Sequence, residues 1–107
     1  MNDALAALQA NYFYLTDNLD DLLDLCPSDA EKRDLKGTYQ QATVDYYDAR
    51  NKAFADDDAS IADTVSQLRT VQDSLEKMSI ELANAVSIIN NITTAVRIGT
   101  ELAAMAK

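Results

Sequence analysis

Two glycines, Gly37 and Gly99, and one proline, Pro27, are the only strong conformational breakers in a chain of 107 residues. A many-stranded β fold needs such residues at each of its tight turns, so this supply excludes one and leaves long helices. The apolar residues agree, recurring at alternating spacings of three and four, the period of helices that pack side by side. In the first segment the seam runs through Leu5, Leu8, Tyr12, Leu15, Leu19, Leu22 and Cys26, and in the second through Leu35, Tyr39, Ala42, Tyr46, Ala49 and Ala53. A third extends from Ile61 through Val65, Leu68, Gln72, Leu75, Ser79, Leu82, Val86, Ile89, Thr93, Val96 and Thr100 to Ala103.

Two breaks separate these segments. In Cys26-Pro27-Ser28-Asp29, Ser28 stands three residues before Glu31 and forms a capping box at a helix start. In Asp56-Asp57-Asp58-Ala59-Ser60, Ser60 stands three before Asp63 and repeats the pattern with an aspartate. The limits predict one all-α domain over residues 1-107, an up-down-up bundle of helices 3-26, 29-56 and 60-106. At 1.5 Å per residue these are about 36, 42 and 70 Å long, so the third overshoots the Pro27 turn by about 20 residues.

The overshoot is apolar nearly all round. Before residue 79 the outer face of the third segment is polar, with Asp63, Gln67, Thr70, Asp73 and Lys77, whereas beyond it the same face carries Ile80, Ile88, Ala95, Ile98, Leu102 and Met105. Leaving large aliphatic side chains in water costs about 1.5–3 kcal/mol each, so the surface must be covered. A continuous helix pairs with a second copy, giving a homodimer through Ile80, Ile88, Ile92, Ile98, Leu102 and Met105. Alternatively the helix breaks at Asn90-Asn91, within the weak helix former Ile88–Thr94, and residues 92-106 return as the fourth helix of a four-helix bundle. The continuous helix is the primary expectation, because neither glycine nor proline enforces the break.

Charge narrows the partners. Eighteen acidic against nine basic residues give a net charge of −9, which repels nucleic acid and anionic lipid. Residues 1-31 hold seven acids and no base. Asp17, Asp20, Asp21 and Asp24 lie opposite the leucine seam of the first helix, a solvated face able to meet a basic protein partner. No glycine-centred calcium loop accompanies them, and no metal site is predicted. Phe13 and Tyr14 in the first segment, and Tyr47 and Phe54 with Val44 in the second, lie off the seams and are expected as partner-binding anchors.

Catalytic equipment is sparse. The chain has no histidine, Cys26 has no activating base, and no triad or phosphate loop can be assembled, so no enzyme activity and no cofactor are expected. Cys26 reads as a buried thiol. Met1-Asn2-Asp3 lacks the basic start of a secretory signal, and the longest uncharged stretch, Leu82–Val96, is too short and polar to span a bilayer, which points to the cytoplasm. The combined expectation is a small acidic helical interaction module of adaptor, chaperone or inhibitor type that self-associates through its last helix. A membrane-active protein using residues 80-106 is the alternative.

Overall fold

A computed structural model describes residues 2–55 and 57–107, and the described residues are helical without a strand. Four helices follow one another: α1 (Asp3–Asp24), α2 (Asp29–Arg50), α3 (Ala59–Glu76) and α4 (Ala85–Ala103), with one 3-10 turn, Leu82–Asn84, before the last. They have 22, 22, 18 and 19 residues. Near-equal lengths let each helix find a partner along its whole apolar stripe, which three helices of unequal length could not do.

The expected third helix of residues 60-106 is therefore two helices. The break falls between Lys77 and Asn84, not at Asn90-Asn91. Lys77 and Met78 close α3 through bonds to Asp73 and Leu75 carbonyls, and Glu81 is extended, with φ −148° and ψ 161°. The Asn84 amide then donates to the Ser79 carbonyl at 2.9 Å, holding the connection in place without glycine or proline. Asn90 and Asn91 lie inside α4, where Thr93 and Thr94 donate back to the Ile89 and Asn90 carbonyls. Tertiary burial overrides the weak propensity of that run.

Turning back also inverts the helix. The residues expected on an outer self-association face point into the chain's own core: Ile88, Ile92, Ile98 and Leu102 are buried, and Ile80 and Met105 pack against that core. The expected seam residues Leu82 and Val86 instead stand in solvent, 77% and 76% exposed. The apolar surface that called for a second copy is thus covered within one chain.

Cap chemistry fixes the other limits. The Asn2 side chain accepts from the Ala4 amide and Ser28 from Glu31, as its capping box requires. At α3 the cap is Asp58, which accepts from both Ser60 and Ile61, in place of the expected Ser60. The first helix ends at Asp24 rather than residue 26, and the second at Arg50. Asp56, the expected end of the second, lies outside the described residues. Phe54 buries itself in the α2–α3 connection, and Ala53 and Lys107 exchange two backbone hydrogen bonds of 2.8 Å each, clamping the chain's end to that connection.

Helices α1 and α2 form one antiparallel hairpin and α3 and α4 another. Among the described residues α1 touches every other helix, whereas α2 and α3 do not meet and occupy opposite corners. Asn2–Ala4 lie beside Ile61–Val65, and Asn11 lies beside Gln72, so α1 and α3 run in parallel.

A buried polar knot sets their relative height. The Gln72 amide donates to the Ala7 carbonyl and to Asn11 Oδ1, each at 2.8 Å, and the Asn11 amide donates to the Ala95 carbonyl at 3.0 Å. A second link ties α2 to α4: buried Asp45 accepts from Thr100 at 2.6 Å and from Gln41 at 2.9 Å. The two glycines differ with respect to this framework. A Cβ on Gly99 would stand 2.8 Å from Asn11 Nδ2, whereas one on Gly37 meets nothing within 4 Å. Gly37→Ala is expected to stabilise the protein by about 0.5–1 kcal/mol through helix propensity alone. Gly99→Ala is expected to destabilise it by about 1–2 kcal/mol by prising Asn11 from its buried partners. Urea unfolding of both variants checks the opposite signs.

Candidate functional site

The α1/α2 hairpin carries a cluster of five aromatic rings. Tyr12 is its hub, with ring centroids 5.7 Å from Phe13, 6.2 Å from Tyr39, 5.5 Å from Tyr46 and 5.6 Å from Tyr47. Tyr39 lies parallel to the hub and Tyr47 meets it edge-on at 73°, both favourable arrangements of the ring quadrupoles. The ring ends are tethered: Gln9 donates to the Tyr46 hydroxyl, and the Thr16 and Tyr39 hydroxyls bond each other, both at 3.0 Å. Tyr46 is buried while Phe13 and Tyr47 remain 48% and 43% exposed, so the cluster is a fixed base with two rings offered to solvent. Val44, one turn before Tyr47, adds an exposed aliphatic side chain.

Carboxylates continue this surface. Phe13, Asp17, Asp20 and Asp24 follow at intervals of four, three and four, one row along α1, and all four are exposed. Asp21 is exposed as well but lies one step round the helix. The last turn of α1 has no basic residue. Negative charge in the last turn of a helix opposes the macrodipole by about 0.3–1 kcal/mol per charge, so Asp21 and Asp24 do not serve the stability of their own helix. Among the described residues no three potential metal ligands come together, the four aspartates included.

One cation already rests on the rings. The Arg50 guanidinium carbon lies 5.2 Å from the Tyr47 centroid and 5.7 Å from that of Tyr46, within reach of the negative ring faces. Tyr47, packed against Tyr12, also pushes the Tyr12 phenol above its usual range.

Two of the expected anchors belong elsewhere. Phe54 is 9% exposed and plugs the α2–α3 connection. Tyr14 turns away from the cluster towards a cavity of about 30 Å³ lined also by Ala10, Gln72, Leu75, Ile92 and Val96. The sequence reading missed Tyr12, Tyr39 and Tyr46 as site residues because they lie on the seams. The available signal was their vertical alignment: Tyr39, Tyr46 and Arg50 recur at seven and four, with Tyr47 beside them.

Cys26 is buried, its thiol directed at the Leu22 carbonyl at 3.6 Å, and burial raises its pKa above the usual thiol value. The thiol is thereby kept from the reactive thiolate form. No helix among the described residues is long and apolar enough to cross a membrane. Comparison with known protein families, curated proteins and solved structures finds no match to this chain.

The Tyr14 hydroxyl is buried without a hydrogen-bond partner among the described residues, and burial raises its pKa above 10.0. A raised phenol pKa favours the folded state below the unfolded value, and that contribution disappears as pH rises through the folded one. Tyr14→Phe is expected to leave stability at neutral pH unchanged or higher by up to about 1 kcal/mol, and to lessen the alkaline loss above about pH 10. Thermal melts from neutral to alkaline pH read both effects. A large loss at neutral pH would mean that the hydroxyl has a structural partner.

Proposed function

We propose that this protein is a non-enzymatic interaction module that docks a basic protein segment on the exposed face of α1 and α2. The observation that carries the reading is the continuity of the aromatic cluster with the aspartate row. Phe13 and Tyr47 offer apolar anchors, while Asp17, Asp20 and Asp24 supply charge along the same helix edge. Rigid aromatic anchors bounded by complementary charge are the arrangement that concentrates binding energy and steers association. Asp21, at the flank, adds to the field.

Two features support a role beyond stability. Exposing Phe13, Tyr47 and Val44 together on one face forgoes burial that a bundle of this size can use. The carboxylates at the end of α1 are placed against the helix dipole. Neither favours folding of the isolated chain, and both suit a cationic, partly apolar partner. Self-association through Ile88, Ile92, Ile98 and Leu102 is not part of this proposal, because those side chains already fill the core. Their burial likewise leaves little for a membrane-active last helix.

The test uses synthetic basic peptides with interspersed leucines, titrated calorimetrically into the whole protein. Binding is expected, with affinity falling steeply as salt rises. Phe13→Ala with Tyr47→Ala is expected to lower affinity at least about tenfold while the circular dichroism spectrum is kept. Asp20→Asn with Asp24→Asn is expected to weaken binding while slightly stabilising the fold, by about 0.3–1 kcal/mol from the last-turn Asp24. Failure of all such peptides to bind at low salt removes the proposal.

A further inference from the structure

Among the described residues, Arg50 is the one cation seated in the aromatic cluster. It lies in the last turn of α2, where the dipole favours positive charge. That accounts for a base at this position but not for where its side chain goes. Among the described residues, Arg50 makes no ion pair in a strongly acidic chain. Its guanidinium rests instead against two tyrosine faces, at 5.2 and 5.7 Å.

The seat itself is built. Tyr46 is buried and its hydroxyl is held by Gln9, while Tyr47 is braced edge-on by Tyr12. The Tyr46 and Tyr47 rings stand 5.3 Å apart and inclined at 58°, forming a shallow angle with its tyrosine faces turned to a guanidinium. A planar, weakly hydrated guanidinium stacks on such faces better than a compact, strongly hydrated ammonium. Gln9 on the neighbouring helix is level with Tyr46, and from there Phe13 and then Asp17, Asp20 and Asp24 lead away along α1, the last about 22 Å on at 1.5 Å per residue.

We propose that the Tyr46–Tyr47 surface is an arginine-recognition site that Arg50 occupies at rest and vacates to an arginine of the docked partner. This rests on the docking face proposed above and specifies the residue that the partner inserts. Arg50 is exposed and tethered by its own helix, so it competes as an intramolecular ligand with a high effective concentration. An incoming arginine must displace it, and basic residues along the same segment meet Asp17, Asp20 and Asp24 as it does so. The tenant thus disfavours partners that offer charge alone, because a lysine ammonium replaces the lost guanidinium stacking less well.

The experiment compares two peptides of identical charge and length, one with arginines and one with lysines, against the wild-type protein, Arg50→Gln and Lys52→Gln. Both substitutions remove one positive charge, but only the first empties the rings. Calorimetry gives the affinities, and the ring-proton shifts of Tyr47 locate the ligand. The arginine peptide is expected to bind wild type about two- to fivefold more tightly than the lysine peptide. Arg50→Gln is expected to raise arginine-peptide affinity by a further factor of about two to five over Lys52→Gln, and Tyr47→Leu to abolish the arginine preference. Equal binding of the two peptides, or equal effects of Arg50→Gln and Lys52→Gln, overturns the arginine site but leaves the docking face standing. Absence of binding by both peptides overturns the site and the docking face together.

Discussion

The hydrogen-bonded amides of Asn11 and Gln72 fix the height of α1 against α3, and the bond from Asn11 to the Ala95 carbonyl extends that register to α4. Apolar side chains alone specify such heights loosely, since a leucine stripe can slide by a turn and still be buried. Buried amides cannot, because each displaced donor or acceptor is left without a partner in a low-dielectric interior. Gly99 exists for this knot: Asn11 takes the space that a side chain would fill. Asp45, held by Thr100 and Gln41, does the equivalent work between α4 and α2. With the heights set, α1 and α2 present their tyrosines to one another at the spacings seen.

Helical class and the turn at Pro27 were legible because breakers are scarce and the apolar period is long. So was the turn before Ser60, but the third was not. Its residues, Lys77 to Asn84, contain nothing that disfavours helix strongly, and the reason to break is global: four helices of matched length bury more than three of unequal length. Asn90-Asn91 looked weaker by local propensity, yet Ile88, Ile92 and Ala95 are buried around it and hold the run helical. A single misplaced turn then exchanged inside for outside along the last helix. Leu82 and Val86 changed places with Ile88, Ile98 and Leu102.

The site was legible in half. Phe13, Tyr47 and the aspartates are off-seam residues, and periodicity finds these directly. Tyr14 and Phe54 are off-seam too, but one faces a neighbouring helix and the other lies in a connection whose path periodicity does not describe. The polar core members Asn11 and Asp45 escaped a reading that counted apolar residues. Asn11 sits between Leu8 and Leu15 at spacings of three and four, so its position was a core position and only its chemistry concealed it.

The arrangement of the helices divides the chain into two sequential hairpins. Contacts within each are close in sequence and form quickly, whereas the knot and the Asp45–Thr100 link join residues 55 to 84 positions apart and must await the meeting of both halves. The plane between the hairpins is therefore the natural cleavage plane for partial unfolding, with amide exchange in the two halves coupled through it. All five clustered rings and Arg50 lie on the first hairpin. Parting the halves would bare the isoleucines of α4 but leave the tyrosine surface assembled, so the proposed docking surface is mechanically separate from the core that supports it.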